Sequence, residues 1–290
     1  MLRKTYVVLM VTLFCSLVFG GAVHAHNLWL NPDNYFPAVG TTVEIGIGWG
    51  HKYPANRVDQ QIRDGQLEAI QAVDPNGGTV DLTKISTGKY QLAIDKPGAW
   101  LITARIKPGF FTMTPEGRKW GNKKAVENAV KCTNFHIQAK TVLIAGGSAK
   151  NLGGAAGQSV EIIPITDPSG IKAGDELAVQ VLFNGKPLAD ASLKATYAGF
   201  GPQGMDHHHQ KPPAKPEGAP PKPPADGKKP PRHKSHYPVE TTTDAQGKAV
   251  LQLKNSGYWM IMLSHRCPFA DSATCDEYMY NMAFTFEVSK

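Results

Sequence analysis

The 290-residue sequence predicts an all-β protein: two immunoglobulin-like antiparallel β-sandwich modules, with a long Pro/His-rich disordered loop inserted in the second. Three observations predict it. Apolar residues alternate with polar or small ones at period two, as in Val43, Ile45, Ile47 and Trp49. Strong turn formers separate these runs, as in Asp74-Pro75-Asn76-Gly77-Gly78 and Lys96-Pro97-Gly98. Helical spacing is confined to Trp120–Val130, where Gly121 and Asn122 weaken it.

In chain order, the first element is a leader. Arg3 and Lys4 precede an apolar run from Tyr6 to Phe19, and small residues follow up to Ala25, the pattern of a cleaved signal peptide over 1–25. A cut ahead of His26 is favoured over one ahead of Val23, because everything after His26 reads as folded structure. The mature chain is therefore expected in the periplasm, with peripheral or no membrane contact.

The first module, 26–147, has strands expected at Val43–Trp49, Leu67–Val73, Lys89–Ile94, Ala99–Ile106 and Phe135–Ala145. A Gly-rich linker over 148–158 follows. The second module, 159–290, has strands expected at Val160–Ile165, Glu176–Phe183, Ala191–Tyr197, Ala249–Leu253, Tyr258–Ser264 and Met279–Val288. Asn184-Gly185 is a hairpin signal inside it. The insert, 201–236, holds ten Pro and four Gly and keeps no apolar periodicity, so it reads as an extended polyproline-like loop.

Charge excludes one class of function. The formal net charge is +7. The leader holds two of those charges. The insert, with seven Lys/Arg against three Asp/Glu, holds four more. The folded body is left near neutral, without the basic, aromatic-lined face that nucleic acid binding requires. Hydrolase signatures are missing too: no Gly-x-Ser-x-Gly elbow and no His-Glu-x-x-His helix occurs.

Histidine is the informative residue. A chain starting at His26 offers one metal ion both an imidazole and an α-amine, whose pKa of roughly 7.7–8.0 makes its proton easy to displace. Such nitrogens suit nickel, cobalt, copper and zinc. Further ligands are needed, and His51, His136 and His265 stand at expected strand ends, where a scaffold fixes a side chain and a loop gives access. Met260, Met262, Met279 and Met282 are soft donors whose strand spacing fits core packing better. In the insert, His207, His208, His209, His233 and His236 form an auxiliary metal-collecting tract. Three cysteines remain after Cys15 leaves with the leader. Cys267 and Cys275 can close a small disulfide loop, with Cys132 either free or the partner of one of them.

Several short motifs in order carry a resemblance: Ala25-His26-Asn27-Leu28-Trp29-Leu30, Gly48-Trp49-Gly50-His51, Ala139-Lys140-Thr141, Asn184-Gly185-Lys186-Pro187-Leu188, Thr243-Asp244-Ala245-Gln246-Gly247 and Phe284-Thr285-Phe286-Glu287-Val288. The chain resembles a domain-of-unknown-function family of bacterial periplasmic proteins classed as periplasmic components of nickel/cobalt uptake systems. The resemblance implies a non-enzymatic metal-binding protein that captures, buffers or delivers Ni or Co beside an inner-membrane metal transporter; Cu or Zn are further candidates on the nitrogen ligands alone. His26 and His51 match the family's opening histidine and Gly-His turn. His136 and His265 are added from the residues alone. Two alternatives stand beside it. One is a copper His-brace protein, with or without monooxygenase activity, with Tyr53 or Tyr278 as the axial ring. The other is a structural or adhesive module with incidental histidines.

Overall fold

A computed structural model describes residues 26–50, 53, 61–200 and 237–290. The expected signal peptide, His51 and the whole insert with its five histidines lie outside the described residues. The first half of the chain forms β1 (Asn27–Pro32), β2 (Thr42–Gly50), β3 (Leu67–Val73), β4 (Thr79–Val80), β5 (Thr83–Ser86), β6 (Lys89–Ala93) and β7 (Gly98–Ile106). A hairpin of β8 (Gly109–Thr114) and β9 (Gly117–Trp120) leads into the long β10 (Lys131–Ala145). Then come β11 (Val160–Pro164), β12 (Glu176–Phe183), β13 (Lys186–Pro187) and β14 (Ser192–Tyr197). The chain ends with β15 (Val239–Thr242), β16 (Lys248–Gln252), β17 (Gly257–Pro268) and β18 (Glu277–Val288). Among the described residues there is one 3₁₀ turn, Pro168–Gly170, and no α-helix.

These strands make three sheets. A ten-stranded sheet runs β15-β14-β17-β18-β10-β7-β3-β4, with β8 added to β10 and β9 to β8. A small sheet, β1-β2-β6-β5, covers one of its faces, and another, built on β11-β12-β13 with β16 beside β12, covers the other. The chain is thus an all-β, immunoglobulin-like double sandwich in which both halves use the same middle layer. The joint is the parallel pairing of β10 with β18, from Thr133↔Glu277 to Thr141↔Thr285.

Side-chain alternation along β10 divides the two cores. Ile137, Ala139, Leu143 and Ala145 point into the core under the first small sheet, with Leu28, Ile45, Leu92 and Trp100. Val142 and Ile144 point the other way, into a core with Leu177, Val179, Trp259 and Phe284. Lys140 also points that way. It is fully buried, and its Nζ lies 3.0 Å from Glu161 Oε2. Glu161 in turn accepts hydrogen bonds from the amides of Ala156 and Gln158, so this ion pair pins the Gly-rich linker to the shared sheet.

Two expectations are corrected. Trp120–Val130 is not helical: β9 ends at Trp120, and Gly121 and Asn128 take positive φ of 129° and 54°, which a right-handed helix forbids. The disulfide joins Cys132 to Cys275, not Cys267 to Cys275, and Cys267 is the free thiol among the described cysteines. Strand register is the reason. Cys132 enters β10 one residue before the Thr133↔Glu277 pair, and its amide donates to Asp276 Oδ2 at 2.8 Å, beside Cys275. Cys267 is held further along, opposite Tyr278.

Candidate functional site

His26 stands at the start of β1. The β1–β2 ladder pairs Asn27 with Gly50 and Leu28 with Trp49. The His26 ring stacks on the Trp49 indole, with centroids 5.1 Å apart. β1 is held down from both sides. Leu28 and Leu30 enter the first core, while Trp29 packs with Tyr53, Met260 and Ala283 on the shared sheet. Glycine makes this possible: a Cβ on Gly48 would overlap the Trp29 indole, so the bare backbone of β2 is the seat of that ring. Asn27 Nδ2 lies 3.5 Å from Met262 Sδ, which brings a half-buried thioether beside the start of the strand. In the sequence His51 follows Gly50, so the ladder makes the neighbours of the two family-matched histidines strand partners.

His136 and His265 lie elsewhere. The register pairs His136 with Tyr280 and Tyr280 with His265, so all three side chains form one row across β10, β18 and β17. That row faces the second small sheet, the opposite side of the shared sheet from β1. His136 and His265 flank Tyr280 about 10 Å apart at two strand spacings. The Tyr280 ring stacks on His136 at 4.7 Å, and Phe183 of β12 sits 4.5 Å from His265 and 5.3 Å from Tyr280. One row further along come Asn134, Tyr278 and Cys267.

Hydrogen bonding and burial set the chemistry of this row. Asn134 Nδ2 donates to the Gly109 carbonyl at 2.9 Å, which turns its Oδ1 toward His136 Nε2 at 2.7 Å. In that arrangement Nε2 carries the proton and Nδ1 is the lone-pair nitrogen. Burial lowers the His136 imidazole below its ordinary value, against an opposing pull from Glu68, and burial alone lowers His265. Burial raises the Cys267 thiol and the Tyr280 phenol. The row is thus neutral and aromatic.

The structure therefore separates His26 from His136 and His265, which the sequence had grouped. Among the described residues, no three His, Cys, Asp or Glu side chains are placed to hold one metal ion. Tyr53 donates its hydroxyl to the Trp259 carbonyl at 3.1 Å, and Tyr278 lies in the aromatic row on the other face. Met260, Met279 and Met282 are buried. Asn27 and Trp49 beside His26, and Tyr280 and Phe183 beside the other histidines, are not singled out by the sequence as site residues. Only the Tyr278–Tyr280 spacing in β18 hinted at a ring row.

Fold and site together define a double-sandwich protein with a histidine-led strand at one end of its first module. Residues 23–266 match the family described as "Domain of unknown function (DUF4198)", and the chain belongs to that family. No curated protein matches it. Among solved structures, a DUF4785 family protein of Legionella pneumophila is 11% identical, with 88% of this chain and 54% of that chain covered and a TM-score of 0.21. This chain therefore spans about half of that protein's length. It covers 15% of a Salmonella alpha-2-macroglobulin at 12% identity, with 90% of this chain covered and a TM-score of 0.23. The D00-D0 domain of Intimin is 12% identical, with 92% and 100% covered and a TM-score of 0.21.

Proposed function

We propose that the protein is a non-enzymatic periplasmic binder of a divalent transition metal, nickel or cobalt first, that captures or buffers the ion and hands it to an inner-membrane transporter. The observation that carries this reading is the pairing of Asn27 with Gly50, which joins the chain neighbours of His26 and His51 in one ladder. After cleavage ahead of His26, the α-amine and imidazole of His26 and the imidazole of His51 supply three nitrogens. A three-nitrogen set leaves positions open for exchange, as a carrier needs. The Cys132–Cys275 disulfide suits an oxidising compartment. The insert histidines serve as a collecting tract rather than a shaped site.

Calorimetric titration of exported protein with Ni²⁺ and Co²⁺, its amino terminus fixed by mass spectrometry, tests the reading. Affinity is expected to fall by more than about tenfold in His26→Ala, and equally when Ala25 is retained and the α-amine is blocked. His136→Ala and His265→Ala are expected to bind as the native protein does. Binding that ignores both His26 changes sinks the proposal.

Copper has one observation of its own, the Met262 thioether beside Asn27, since soft sulfur selects Cu(I). A Met262→Leu change that weakens Cu(I) binding and leaves Ni²⁺ binding intact would favour that second reading.

A further inference from the structure

A cleft lined by Asn31, Gly46, Gln61, Ser86 and Tyr258 lies on the outer face of the first small sheet. Its volume is about 750 Å³, inside the roughly 300–1,000 Å³ typical of small-ligand sites. The floor is a consequence of the β2 sequence. In Thr42–Gly50 the inward positions are Val43, Ile45, Ile47 and Trp49, and the outward ones after Glu44 are all glycine. Gly48 is filled by the chain's own Trp29, whereas Gly46 is not. A Cβ there would meet only Asn31, no nearer than 3.5 Å. The backbone at Gly46 is therefore bare at the bottom of the cleft, with no positive φ that would require glycine. Glycine in a strand interior marks a place where something approaches the backbone closely.

The walls specify what approaches. Asn31, Gln61 and Ser86 line the cleft with side-chain amides and a hydroxyl that hydrogen-bond to no other described residue. The charges present are largely committed: Lys89 Nζ is 2.6 Å from Glu44 Oε1, and Asp33 Oδ1 accepts from the Glu44 amide at 3.0 Å. At one end stands the ring of Tyr258, 37% exposed and backed by Tyr35 with centroids 5.8 Å apart. Unspent hydrogen-bonding groups, near-balanced charge, a flat bare floor and one aromatic face fit a neutral ring carrying hydroxyl groups. We infer that this cleft is a saccharide-binding site, with the sugar ring lying over Gly46 and against Tyr258, and its hydroxyls bonded by Asn31, Asp33 and Gln61.

This inference is independent of the metal reading, because no histidine is among the described residues that line the cleft. The test is calorimetric titration of the full mature chain with trisaccharides of glucose, galactose, mannose and N-acetylglucosamine, at concentrations up to about 10 mM. At least one is expected to bind, and Tyr258→Ala is expected to weaken it at least about tenfold. Gly46→Val should do the same by filling the floor, and its Cβ makes no contact closer than 3.5 Å, so the fold and Ni²⁺ titration should be unchanged. Absence of heat with all four sugars overturns the ligand class. Binding that survives both substitutions overturns the location.

Discussion

The two faces of the shared sheet carry the two histidine groups, and they differ in what holds them. On one face β1 is fixed by packing: Trp29 rests on Gly48, Met260 and Ala283, and Thr285 Oγ1 donates to the Leu30 carbonyl at 2.7 Å. Its histidine projects at the strand start, beside Trp49. On the other face, His136 and His265 are members of a ring row, half-buried and neutral. The difference teaches that a histidine's place along a strand says little about its chemistry until its neighbours across the sheet are known.

The strongest way to break this arrangement is at Lys140. Lys140→Ala would leave Glu161 buried without its partner, at a cost of about 3–5 kcal/mol, read by urea unfolding. The double change Lys140→Met with Glu161→Leu should recover only part of that loss: it removes both desolvation penalties but takes the acceptor from the amides of Ala156 and Gln158. Next comes the disulfide. Cys132→Ala and Cys275→Ala are each expected to cost about 2–4 kcal/mol, since the bond closes a loop between residues 143 apart. Cys267→Ala, which removes no bond, should stay within about 1 kcal/mol. Equal losses from all three would refute the assigned pairing.

Gly48→Val acts on the β1 face alone. Its side chain displaces the Trp29 indole, so stability should fall by about 1–3 kcal/mol. If β1 positions the metal site as proposed, Ni²⁺ affinity falls in the same variant, while the environment of His136, followed by its imidazole NMR shifts, stays put. Loss of Ni²⁺ affinity without movement of the Trp29 indole NMR resonance would separate the site from the packing.

Part of the strand pattern is legible in the sequence, because strands such as β6, β12 and β16 have one buried and one open face. Leu67–Val73 and Glu176–Phe183 were read with the bounds the structure has. β1 is not among the expected strands: its run Leu28 to Leu30 is short and buried on both faces, so it carries no period-two signal. The shared sheet was illegible for another reason. It depends on β10 meeting β18 in parallel across the length of the second module, and no local pattern encodes so distant a register. The same register decides the cysteine pairing and parts His26 from His136. Parity along a strand tells which side chains share a face; only pairing tells which faces meet.

The smallest effect sharpens the ring row. His136 has a folded pKa below its ordinary value, chiefly because burial disfavours the cation. The unfolded chain therefore binds more protons as pH falls below about 6.5, so this group's stability contribution is intact above that pH and is lost as pH drops through the folded value. His265 has the same sign. Glu287, raised by burial, has the opposite sign, since its protonated form is favoured in the folded state. Asp74, held near 2 first by the Lys96 hydrogen bond, does not titrate in this range. The native profile between pH 7.5 and 5.5 is thus a sum of opposed terms, and the informative quantity is the difference between native and variant. His136→Gln retains a donor for Asn134 and removes the titration. It should lessen the melting-temperature drop on acidification by no more than about 2 °C. A variant that loses more stability than the native chain at low pH would mean that His136 is charged in the fold, and that the row is not the neutral stack described above.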